Sequence, residues 1–108
     1  EHGALEHGAL EHAADHDLRQ LAHRYVSAIR GADAVVVILP GGRGTHTELG
    51  IALAMAKPVI LVATPESLRG AEGWPCAFYF HLAVEHVAAL DQVPAAFSRA
   101  LAPDRAWA

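Results

Sequence analysis

The chain has 108 residues with a formal net charge of -4, and 53% of them are hydrophobic against 19% charged. That length suits one domain with a modest core, and the composition excludes a disordered segment. The acidic balance without a Lys or Arg cluster argues against nucleic acid, no apolar run nears the ~20 residues of a bilayer span, no signal peptide is visible, and the single cysteine makes a cytoplasmic setting the expectation.

In chain order, Glu1-His2-Gly3-Ala4-Leu5 recurs as Glu6-His7-Gly8-Ala9-Leu10 and begins again at Glu11-His12, a period that matches neither helix nor strand. Residues 1–13 therefore read as a low-complexity lead-in, and residues 14–108 as a single α/β domain. Leu18, Leu21, Ala22, Tyr25, Val26, Ala28 and Ile29 follow a helical spacing that predicts a helix over 15–30, ended by Gly31. Ala34 to Leu39 is a continuous apolar run, as a strand buried on both faces requires. His46 to Ala56 predicts a second helix and Val59 to Ala63 a second strand, with Lys57-Pro58 as the turn between them. Thr64 to Pro75 reads as a loop, Phe78-Tyr79-Phe80 as a brief extended piece and Val84 to Ala89 as a third strand. Asp91 is placed to cap a last helix, Gln92 to Leu101, with Pro94 tolerated in its first turn. The order predicts a small Rossmann-like parallel sheet flanked by helices, with right-handed crossovers.

The most informative stretch is Pro40-Gly41-Gly42-Arg43-Gly44-Thr45-His46-Thr47-Glu48, a glycine-rich turn from a strand into a helix. In open parallel sheets the ligand crevice lies beyond the carboxyl ends of the strands, where this turn belongs. Gly41, Gly42 and Gly44 before a helix start, with the Thr45 and Thr47 hydroxyls, make a plausible cradle for phosphate; they equally permit a tight turn. Glu48 has two readings. Thr45-x-x-Glu48 is the pattern of a capping box, and a carboxylate near a helix N-terminus also stays ionised, as a nucleophile must.

This stretch resembles two related groups of enzymes that cleave N-glycosidic bonds. Residues 40–48 match the Pro-Gly-Gly-x-Gly-Thr-x-x-Glu motif of the lonely-guy phosphoribohydrolases. Gly44 to Gly50, with Ala52, Ala54 and Lys57-Pro58-Val59-Ile60, is similar to the nucleoside 2-deoxyribosyltransferases. The resemblance implies a nucleoside or nucleoside 5′-monophosphate as substrate, Glu48 as nucleophile at the anomeric carbon, the Gly41 to Thr45 loop holding sugar or phosphate, no cofactor, and subunits that meet near the active sites. The transferases often carry an acidic residue where Gly42 stands, and its absence tilts the expected ligand toward a phosphorylated one. Relatives of either group begin with a further β-α-β portion, whereas no strand-like run precedes Asp33. The expectation is thus a smaller sheet, one completed by a partner chain, or an N-terminally incomplete one. The alternative in a different class is a non-catalytic nucleotide-binding or signalling module.

Arg43 is a candidate ligand contact, and Asp33 belongs to the turn before the strand. His46 is placed to orient Glu48 or a sugar hydroxyl, or else faces water. Trp74 and Tyr79 either line a base pocket or pack in the core, while Phe78 and Phe80 read as core. His12 and His16 have metal-ligand spacing on a helix but no Cys or His-Glu-x-x-His context, so no metal is expected. Leu49 to Ala56 is apolar around nearly its whole circumference, which predicts a homodimer or larger oligomer covering its outer face.

Overall fold

Val59–Val62 is the strand around which the domain is built, and all four of its side chains are buried. The computed structural model describes residues 11–70 and 73–103, in the order α1 (Glu11–Gly31), β1 (Val35–Ile38), α2 (Arg43–Ala54), β2 (Val59–Val62), α3 (Pro65–Arg69), a 3₁₀ turn (Ala77–Phe80), β3 (Val84–Val87), a second 3₁₀ turn (Leu90–Gln92) and α4 (Val93–Ala100). The sheet is parallel in the order β1-β2-β3, with Val35 opposite Val59 and Val59 opposite Val84. It is an α/β fold, and β2, which pairs with β1 on one side and β3 on the other, is the strand buried on both faces.

Alternation along β2 divides the core into two layers. Val59 and Leu61 meet Leu49 and Ala52 of α2, Ile29 of α1, Val37, Leu39 and Tyr79. Ile60 and Val62 meet Val87 and Ala96, with Val93 packed beside them. Fully burying a residue such as Leu61 stabilises the fold by roughly 1.5–3 kcal/mol. No described helix is long and apolar enough to cross a membrane.

Several expectations need correction. β1 is an edge strand, so Val37 is buried while Val36 and Ile38 on its other face are 42% and 50% exposed. The first helix starts at Glu11, four residues earlier than its spacing predicts; the repeat before it lies outside the described residues. Leu18 and Tyr25, expected on its apolar side, are exposed, and α1 contributes Ala14 and Ile29 to the buried set. Residues 78–80 coil into a 3₁₀ turn, which sends Tyr79 inward and leaves Phe78 and Phe80 exposed. Asp91 lies within the second 3₁₀ turn; Gln92 folds back instead, its Oε1 accepting from the backbone N–H of Ala88 at 2.7 Å and of Ala89 at 3.1 Å.

The outer side of α2 is partly covered by α1, which packs along it. Ile51, Leu53 and Met55 are half-buried against the core, and Ala54 and Ala56 stay exposed.

Candidate functional site

The glycine turn is shorter than its sequence implies, because α2 begins at Arg43 and takes Gly44 and Thr45 into its first turn. Gly42 is the N-cap, in extended backbone, and no side chain caps the helix. The first helical hydrogen bond runs from His46 N–H to Gly42 O at 3.1 Å. The N–H groups of Arg43, Gly44 and Thr45 come before it and so have no acceptor within the helix. The first turn holds no acidic residue, which leaves the positive end of the helix dipole uncompensated and adds the Arg43 guanidinium to it.

Each glycine has its own reason here. A Cβ on Gly41 would lie 2.5 to 2.7 Å from three atoms of the Thr45 side chain, so Gly41 lets Thr45 fold down over the turn. A Cβ on Gly42 or Gly44 would meet nothing within 4 Å. Those two positions open onto free space at the head of α2.

Thr45 sits inside the helix and cannot be its N-cap, so the capping box expected with Glu48 is not formed. A capping box stands at the head of α3 instead: Thr64 Oγ1 accepts from Ser67 N–H at 3.1 Å, and Ser67 Oγ accepts from Thr64 N–H at 2.9 Å. Glu48 is half-buried, and among the described residues no hydrogen bond or ion pair engages its carboxylate. Helical side chains lean toward the N-terminus, and the residue one turn back is Gly44, which leaves that direction open. Thr47 donates its hydroxyl proton to Arg43 O at 2.7 Å, within its own helix.

His46 does not serve Glu48. Two residues apart on a helix, they project about 200° from one another. The imidazole is held by two other groups, with Nδ1 2.8 Å from Gly42 O and Nε2 2.6 Å from the hydroxyl of Tyr79. A carbonyl can only accept, so Nδ1 carries the proton, and in the neutral ring Nε2 accepts from the phenol. Tyr79 is buried, and burial, with Cys76 nearby, pushes its hydroxyl above the ordinary phenol value. Its own carbonyl accepts from His86 Nε2–H at 2.6 Å, which ties the 3₁₀ turn to β3. Tyr79 is thus a core residue with a polar tip at the α2 head; Trp74 is 82% exposed and packs in no core.

Two open grooves flank the strand ends. One, of about 370 Å³, is lined by Pro40, Thr64, Glu66, Ser67 and Gly70, at the carboxyl ends of β1 and β2. The other, of about 440 Å³, lies beside α4 between His86, Gln92 and Arg99; there Arg99 donates through Nε to Glu85 Oε2 at 2.8 Å and through Nη2 to the same oxygen. Glu48 lines neither groove. Glu66 was not among the sequence candidates, although Thr64-Pro65-Glu66-Ser67 directly after a buried strand is a readable helix start that places a carboxylate at the sheet's active edge. No group of three or more His, Cys, Asp or Glu gathers to hold a metal among the described residues. No family model matches the chain, and no curated protein or solved structure matches it either.

Proposed function

We propose that the α2 head binds the phosphate of a nucleoside 5′-monophosphate and that the domain cleaves or transfers at the N-glycosidic bond, with Glu48 as nucleophile. The observation that carries this reading is the uncapped start of α2: free N–H groups at Arg43, Gly44 and Thr45, with open space at Gly42 and Gly44. Backbone donors at the positive end of a helix are a general solution for an anion, and Arg43 supplies a full charge beside them. The motif resemblance to the two N-glycosidase groups supplies the chemistry. A carboxylate that no protein group neutralises is suited to attack the anomeric carbon, or to stabilise it electrostatically, as the base departs and oxocarbenium character develops. Water or a second base then takes the sugar. A cytoplasmic setting accords with this reading.

A second reading, a nucleotide-binding module without catalysis, is favoured by the position of Glu48 outside both grooves. Assembly into a homodimer or larger oligomer belongs to either reading. Its support is the exposure of Val36 and Ile38 on the open sheet face and of Trp74, Phe78, Phe80 and Leu82 along one segment.

Thermal melts with nucleosides and their 5′-monophosphates, followed by an assay for released base, test the proposal. Monophosphates are expected to raise the midpoint more than the matching nucleosides do, since a ligand that binds only the native state stabilises it. Equal shifts reject the phosphate cradle. Binding without release of any base selects the non-catalytic module.

A further inference from the structure

We infer that α1 is an interaction surface for a second copy of this chain, pairing antiparallel with the same helix across a twofold axis that passes between Leu21 and Ala22. The inference rests on the homodimer reading and assigns its contact. Twenty-one residues make α1 about 31 Å long, whereas the twelve of α2 span about 18 Å, so α2 can cover little more than half of it. Leu18 points within about 20° of Ile29 around the helix axis. Ile29 belongs to the buried core with Leu49 and Ala52 of α2, yet Leu18 is 44% exposed, Tyr25 is 49% exposed, and Ala22 between them is exposed as well. Leu18, Ala22 and Tyr25 thus form a stripe at helix-packing spacing that the body of the domain leaves open.

The charges beside the stripe point to the occupant. Asp15 and Arg30 lie along one flank and Asp17 and Arg24 along the other, all four exposed. The one ion pair among the described residues joins Arg99 to Glu85, so none of these four is paired there. On each flank the acid precedes the base. Rotation about the twofold axis sets Leu18 opposite Tyr25 of the second copy and Leu21 opposite Ala22. It also brings Asp15 within two positions of Arg30, and Asp17 within two positions of Arg24. Two positions are about 3 Å along a helix, an offset that an arginine side chain spans. Arg19 falls beside Val26, so no like charges meet. Every contact occurs twice, because a twofold interface uses the same patch on both copies. A parallel pair would instead align aspartate with aspartate, arginine with arginine and the two helix dipoles in the same sense. The stripe and both flanks are therefore complementary to themselves in a single antiparallel register.

Sedimentation equilibrium of the full chain tests this, with circular dichroism to establish that each variant is folded. The parent is expected to be a dimer at micromolar concentration. Asp17→Arg sets arginine against arginine and should weaken the dimer about tenfold or more, and Arg24→Asp should do the same by setting aspartate against aspartate. Combining the two restores opposite charges and should return the dissociation constant to within about threefold of the parent's. Leu18→Glu changes an exposed position outside the core and should give a folded monomer. Single reversals or Leu18→Glu that leave the dimer as tight as the parent's, or a double reversal that fails to restore it, overturn the inference alone and leave assembly to the open sheet face. A monomeric parent overturns the homodimer reading and the inference with it.

Discussion

Gly44→Ala separates a ligand cradle from a merely permissive turn, because the two give opposite expectations for stability and binding. Gly44 is the second residue of α2 and has no positive φ, and an added Cβ there would meet nothing within 4 Å. The substitution therefore adds no clash. Alanine restricts the unfolded chain and favours the helix, a gain of roughly 0.5–1 kcal/mol. For a domain of this size that raises the melting midpoint by about 2–8 °C. The new methyl would occupy open space at the head of α2, where the phosphate is proposed to sit. Nucleoside 5′-monophosphate affinity should therefore fall at least tenfold in the more stable protein. Differential scanning calorimetry and isothermal titration of the same two samples read both effects. Unchanged affinity refutes the cradle, and a lowered midpoint refutes the helical placement of Gly44.

Glu48→Gln removes the charge while leaving no described hydrogen bond broken; stability should stay within about 0.5 kcal/mol while base release, measured by chromatography, is lost. Ala56 follows Met55, the C-cap of α2, at φ 60, a left-handed conformation that costs a side chain energy, so Ala56→Gly should stabilise by about 0.5–1 kcal/mol in urea titrations, and a loss would contradict that strain. The buried Tyr79 phenol ionises above the ordinary 10.0, so its contribution is complete below pH 10 and is lost as pH rises through the native-state value. Tyr79→Phe should accordingly show a shallower alkaline loss of stability. Size exclusion with light scattering should show at least a dimer at micromolar concentration, and a stable monomer would remove the oligomer proposal.

Much of the α/β plan is legible along the chain, because a strand buried on both faces and a helix with an apolar side are local patterns. Val59 to Val62 reads directly as a buried strand. The Gly41 to Glu48 motif likewise marks where a strand turns into a helix at the sheet's active edge. Position within the sheet is not local. The run Val35-Val36-Val37-Ile38 looks as buried as its neighbour, yet strand order puts it at an edge with one face half open. Thr45 and Glu48 have the spacing of a capping box, but α2 starts at Arg43 and that register takes Thr45 out of the cap position. Three aromatic neighbours at 78–80 look alike in sequence; a single 3₁₀ turn buries Tyr79 and exposes the other two. His46 finds Tyr79 thirty-three residues away, and neither carries a local sign of the other. Local periodicity and turn chemistry determine which elements form. The face a residue presents, and the partner its polar atoms meet, depend on helix register and strand order, which only the packed chain decides.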